Sequence, residues 1–138
     1  MIVGIGTDLV EIARIEEAVG RFGDRFAQRI LGPAEWQRYI VRRDRSARRG
    51  IAYLATRFAA KEAISKALGL GMRMPMTWRA VEIVNAPSGA PLAQARGALA
   101  AHLTERGLRL HVSVTDERSV AMAYAVAESH AVAARSKP

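Results

Sequence analysis

The sequence predicts an α+β fold: a helix layer packed on a small antiparallel sheet, in a single domain. Three observations carry that expectation. Residues 54–69 read as a long helix, apolar nearly all round. Two alternating runs, 108–115 and 119–127, read as strands joined by the turn Asp116-Glu117-Arg118. The segments order as one strand, several helices, a strand, a helix and a hairpin, which separates helices from strands as α+β folds do.

Met1 to Ile5 is a short β-rich run, followed by Gly6-Thr7-Asp8. Two readings of Asp8 are open at this point. Its carboxylate caps a helix over residues 9–19, or it serves as a metal ligand. That helix would turn Leu9, Ile12, Ala13 and Val19 inward and Glu11, Arg14, Glu16 and Glu17 outward. Gly20 and Gly23 frame a turn, and residues 21–30 form the next helix, with Arg21, Arg25 and Arg29 as a basic ridge. Gly32-Pro33 breaks the chain, and Pro33 opens a helix through Trp36, Tyr39 and Ile40.

Arginines at 38, 42, 43, 45, 48 and 49 make the most basic stretch. It lacks the interleaved aromatics of a stacking platform for single-stranded nucleic acid, so it reads first as solvated charge and second as a contact for phosphate or an acidic protein. The helix over 54–69 follows, with Gly69 and Gly71 where a left-handed cap would end it. Residues 78–84 read as a strand, 85–91 as a turn-rich connection and 92–106 as a helix ended by Gly107. The tail from Glu128 reads as frayed.

The chain has 138 residues, half of them hydrophobic, which suits one domain with one core. It has no cysteine, which excludes a disulfide scaffold, a thiol nucleophile and Cys-ligated metal. No apolar run approaches membrane-spanning length, and the N-terminus lacks a basic leader. These features predict a cytoplasmic protein. The net charge of +8 calls for an acidic partner: nucleic acid, a phosphorylated ligand or an acidic protein.

Lysine usage points to a site. Of 21 basic residues only Lys61, Lys66 and Lys137 are lysine. Two of them flank Glu62 within the apolar helix. A compact ammonium suits a phosphate oxygen; an ordinary Glu62–Lys66 pair at i, i+4 is the competing reading. His102, His111 and His130 are scattered and make no zinc cluster, and Ser113 has no assignable base.

Two longer motifs add a resemblance. The run from Gly4 to Glu16, GIGTDLVEIARIE, resembles the N-terminal signature of the holo-acyl-carrier-protein synthases, a family of small 4′-phosphopantetheinyl transferases. RFAAKEA from Arg57, continuing through Lys66-Ala67-Leu68-Gly69, is similar to that family's second signature. Arg29-Ile30-Leu31, Glu35-Trp36, Trp78, Glu82 and Gly89-x-Pro91 fall in the expected order, so the resemblance covers nearly the whole chain. Departures are Leu70 for the family's Thr, Ala90 in the Gly-Lys-Pro turn, and Thr115-Asp116 where a Ser/Thr-His pair is common.

The resemblance implies a single transferase domain over residues 1–138. The expected reaction is Mg²⁺-dependent transfer of phosphopantetheine from coenzyme A to a serine of an acyl carrier protein in fatty acid biosynthesis, releasing adenosine 3′,5′-bisphosphate. It implies Asp8 and Glu62 as metal ligands and Asp8, Glu62 and Lys66 as the catalytic set. Arg57, Phe58, Lys61, Lys66, Gly69 and Gly71 would contact coenzyme A, and Arg14, Arg21 and Arg25 would dock the carrier. It further implies a homotrimer with sites at subunit interfaces, and no nucleic-acid or membrane partner. A basic nucleic-acid-binding domain and a Mg²⁺-dependent phosphohydrolase are the alternatives. The first leaves the Asp8 and Lys61-Glu62 motifs unexplained; the second uses the same carboxylates with water as acceptor.

Overall fold

The computed structural model describes residues 1–130. Its elements run β1 (Ile2–Glu11), α1 (Ile12–Phe22), α2 (Asp24–Ile30), α3 (Pro33–Arg45), α4 (Ala47–Ala67), β2 (Val81–Asn85), β3 (Pro91–Ala95), α5 (Gly97–Arg106), β4 (Leu108–Asp116) and β5 (Val120–Ser129). A three-stranded antiparallel sheet has the order β1-β5-β4, and β2-β3 form a separate antiparallel hairpin. The expected α+β layering holds.

Helix α4 is the spine. Its length presents Leu54, Ala55, Ala59, Ala60, Ala63 and Ile64 to the core, all fully buried. Small residues line the contact with the large sheet. Every second residue of β5, Ala121, Ala123, Ala125 and Ala127, faces inward and is buried. On β1 the inward positions include Gly4 and Gly6. A Cβ on Gly4 would lie 1.8 Å from the carbonyl oxygen of Ala67, and one on Gly6 would lie 2.0 Å from that of Ala63. The strand therefore rests directly on the helix backbone, and any side chain at either glycine would lift it away.

Several boundaries differ from the sequence expectation. Strand β1 does not stop before Asp8. Leu9, Val10 and Glu11 pair with Met122, Ala121 and Val120, and the ladder overrides the helix pattern of residues 9–11. Helix α1 therefore starts at Ile12, and Asp8 is no N-cap. The turn expected at Gly20 to Gly23 contracts to Gly23, whose positive φ of 64° separates α1 from α2. Helix α4 begins at Ala47 with Ser46 accepting from the Arg49 amide, well before Leu54. The strand expected over 78–84 is instead Val81–Asn85. Residues 92–95 are not helical: Leu92, Ala93, Gln94 and Ala95 pair with Val84, Ile83, Glu82 and Val81. Glu128 and Ser129 belong to β5, while residues 131–138 of the expected frayed tail lie outside the described residues.

Candidate active site

The β1–α4 contact sets the site. Gly4 sits against Ala67 and Gly6 against Ala63, so the next inward position, Asp8, falls beside the turn of α4 that holds Glu62. Phe58, Glu62 and Lys66 follow one another at i, i+4 along the same face. The Lys66 Nζ donates to the Thr7 carbonyl at 2.9 Å and to Asp8 Oδ1 at 3.3 Å. The competing Glu62–Lys66 pair is not what forms: the ammonium crosses to β1. Asp8, Arg14, Ile15, Phe26, Phe58 and Glu62 line a cleft of about 350 Å³.

Two carboxylates, with the Lys66 ammonium beside them, set the electrostatics of this cleft. Partial burial holds the Glu62 carboxyl above its ordinary range, the neighbouring Asp8 charge pushes it further, and Lys66 opposes both. Two hard carboxylates facing one opening suit a divalent ion such as Mg²⁺, which takes one or two carboxylates and fills its shell with phosphate and water. Among the described residues no group of three or more His, Cys, Asp or Glu could hold a metal. Of the histidines, His102 lies on α5, His111 pairs with Glu128 at 2.9 Å, and the His130 amide bonds Gly107.

Lys61 and Arg57 do not join this cleft. Each residue turns a helix by about 100°, so they emerge on another face of α4. Lys61 is fully buried, its Nζ donating to the Ile30 carbonyl and to Glu35 Oε1, both at 2.6 Å. Burial lowers its pKa and the Glu35 charge opposes that. The expectation that Lys61 faces coenzyme A is therefore corrected: its ammonium is already spent inside the core. Removing one partner of such a pair costs about 3–5 kcal/mol, because the other charge stays buried.

Arg57 lies in a second cavity, of about 260 Å³, which it lines with Arg42, Arg49, Tyr53, Thr56 and Asp116 among others. Its guanidinium donates to Ile83 O, Asn85 Oδ1 and Thr56 Oγ1 and stacks 4.2 Å from the Tyr53 ring centroid. Arg42 stacks on the same ring at 5.0 Å. Burial pushes the Tyr53 hydroxyl up to about 12. No sequence motif singled out Arg42, Arg49 and Tyr53 as lining one cavity with Arg57. The i, i+4 series Arg49, Tyr53, Arg57 was the available signal.

Gly69 and Gly71 end α4 as expected. Both have positive φ, 70° and 66°, and their amides donate back to Lys66 O and Ser65 O. Arg14 borders the Asp8–Glu62 cleft. Arg21 stands over Phe22 at 5.6 Å. Arg25 shares a groove of about 620 Å³ with Phe22, Phe26 and Arg29.

Comparison with known proteins gives the family. The family model described as the 4′-phosphopantetheinyl transferase superfamily matches residues 4–129. A holo-[acyl-carrier-protein] synthase of Cupriavidus taiwanensis is 59% identical over 128 residues, covering 93% of this chain and 91% of the relative. The crystal structure of holo-[acyl-carrier-protein] synthase from Neisseria meningitidis superposes with a TM-score of 0.85 at 39% identity, covering 94% of this chain and 100% of that one. A Bacillus anthracis holo-(acyl-carrier-protein) synthase in complex with CoA (3′,5′-ADP) gives a TM-score of 0.77 at 33% identity, covering 94% and 98%. With both signatures folded onto one β1–α4 contact and the match running almost end to end, the chain belongs to the holo-[acyl-carrier-protein] synthases of the 4′-phosphopantetheinyl transferase superfamily.

Proposed function

We propose that this enzyme transfers 4′-phosphopantetheine from coenzyme A to a serine of an apo-acyl carrier protein, as one transferase domain over residues 1–138. The observation that carries the reading is Asp8, Glu62 and Lys66 converging at the β1–α4 contact, the two carboxylates on a cleft bordered by Arg14. The serine oxygen bonds to the phosphopantetheine phosphorus, the pyrophosphate P–O bond breaks, and adenosine 3′,5′-bisphosphate leaves. Asp8 and Glu62 would hold Mg²⁺, which neutralises charge on phosphoryl oxygens when bound. Lys66, half exposed, moves its ammonium from Asp8 to a pyrophosphate oxygen. The serine proton passes to Asp8, to Glu62 or to a water between them.

Arg57, with Arg42 and Arg49, would hold a phosphate of the coenzyme in the second cavity; Phe58, Gly69 and Gly71 would border the coenzyme near Lys66. The two sets occupy different faces of α4, so a coenzyme touching both lies between subunits. The outer face of the large sheet supports such an assembly. Val3, Ile5, Leu9, Met122 and Tyr124 lie there, 53%, 54%, 62%, 40% and 42% exposed. A homotrimer with interface sites is the assembly we propose. Arg14, Arg21 and Arg25, with Phe22 and Phe26, would receive the acidic carrier. No described helix is long and apolar enough to cross a membrane, and we place the enzyme in the cytoplasm, in fatty acid biosynthesis.

Release of adenosine 3′,5′-bisphosphate from coenzyme A and Mg²⁺ tests the reading. It should require apo-carrier and fail with a carrier whose serine is alanine. Release without carrier would instead make the enzyme a phosphohydrolase.

A further inference from the structure

The buried charges next to the site have no part in the chemistry above. Lys61, Glu35 and Glu82 are each fully buried. They form a continuous chain at the elbow where α2 ends and α3 begins. Lys61 Nζ donates to Ile30 O, the last carbonyl of α2, placing an ammonium at that helix's negative end. Glu35 Oε1 accepts from Lys61 and from the Gly32 amide, and Oε2 accepts from the Ile83 amide at 2.7 Å. Glu82 Oε2 accepts from the Ala34 and Glu35 amides, at 2.7 and 3.2 Å, so two carboxylates fill the open N-terminus of α3. Arg96 donates to Glu82 Oε1. No buried side-chain nitrogen or oxygen among the described residues lacks a partner.

This chain grips one elbow from three directions: α4, β2 and the start of α5. What the elbow aims is α2. Phe26 of α2 stacks on Phe58 of α4 at 6.5 Å, and both border the cleft that contains Glu62. Lys61 is the residue next to Glu62. One bond network therefore sets the angle of α2 and the seating of the α4 turn that carries a catalytic carboxylate. A solubility or folding role would need no such link; apolar residues of equal volume would hold an elbow as well or better.

We infer that Lys61, Glu35 and Glu82 are positioning residues for the transfer: they hold the α2 docking face in fixed register with Glu62, so that the carrier serine arrives where the phosphorus is held. The inference rests on α2 receiving the carrier. A misplacement of about 1 Å in such a register costs on the order of 10²-fold in rate.

The test is the paired variant Lys61→Met/Glu35→Gln, which removes both charges together, assayed as full-length enzyme well below its melting temperature. The expected result is a drop of about 10- to 100-fold in kcat/KM for apo-carrier, with KM for coenzyme A unchanged. Amide exchange over residues 24–30 of the metal-free, ligand-free enzyme should quicken while α1 keeps its protection. Carrier kcat/KM within about twofold of wild type, whatever the melting temperature, would overturn the inference. A rise in coenzyme A KM with carrier constants intact would also overturn it and return Lys61 to the coenzyme. If the pair does not fold, Glu35→Gln alone is read by the same outcomes. Wild-type enzyme that leaves carrier unmodified would defeat the docking reading itself; active wild type with an unaltered variant defeats only the positioning role.

Discussion

Lys61 and Lys66 flank Glu62, yet one is a buried strut and the other a half-exposed cation. The separation is a matter of helix rotation. Because α4 is apolar nearly all round, the sequence offered no polar face to say which lysine met solvent. Asp8 was legible as a candidate ligand, but its two readings parted only when β5 extended β1 past it. Arg42 and Arg49 were hidden in a run of arginines in which each looked equally solvated. Glu62 yields a prediction of its own. Burial and Asp8 hold its folded pKa above its ordinary value of 4.5. The folded chain thus binds that proton more tightly than the unfolded chain, so metal-free stability falls as pH rises through the window above 4.5. Mg²⁺ needs the carboxylate, so its affinity should climb through the same window. Calorimetric Mg²⁺ titration across that range should show the climb, and Glu62→Gln should flatten it and abolish transfer with the fold intact. A pH-independent affinity in wild type, or an active Glu62→Gln enzyme, would remove Glu62 from the metal site.

At the scale of elements, α4 and the β4–β5 hairpin were legible because their patterns repeat locally. Strand β3 was not: Leu92-Ala93-Gln94-Ala95 favours helix in isolation, and only pairing with β2 makes it extended. The glycines of β1 read as part of a motif, but their physical reason needs the helix beneath them. Gly6→Ala would push a methyl into the Ala63 carbonyl, with the Ala67 amide and Lys66 Cβ also inside 3 Å. It should cost about 1–3 kcal/mol by overpacking and also reduce turnover, since Asp8 is carried on the displaced strand. Gly20→Ala is the matched control. Gly20 lies within α1, with nothing within 4 Å of an added Cβ; the change should stabilise by about 0.4–1 kcal/mol. Denaturant melts of the two variants check the pair. Equal effects would mean that β1 does not sit on α4 as closely as described.

At the scale of the molecule, the α+β architecture followed from segment order and the single domain from chain length. The division of basic and acidic groups between two faces of α4 did not. That division makes the outer sheet face consequential. Ile5 lies beside Val126 on the next strand, with Leu9 beside Met122, so a charge placed there meets an apolar neighbourhood. Ile5→Asp should convert the proposed trimer to monomers in sedimentation and remove activity, while the isolated fold keeps its helical circular dichroism. A monomeric variant with full turnover would show that one chain holds a complete site. The central claim, that Asp8, Glu62 and Lys66 run a phosphopantetheinyl transfer, has a more direct measure. Intact-mass spectrometry of an apo-acyl carrier protein incubated with enzyme, coenzyme A and Mg²⁺ should show one phosphopantetheine adduct on serine, absent with Asp8→Asn or Lys66→Ala enzyme. A carrier of unchanged mass with wild-type enzyme, or an adduct formed equally by the variants, would contradict it.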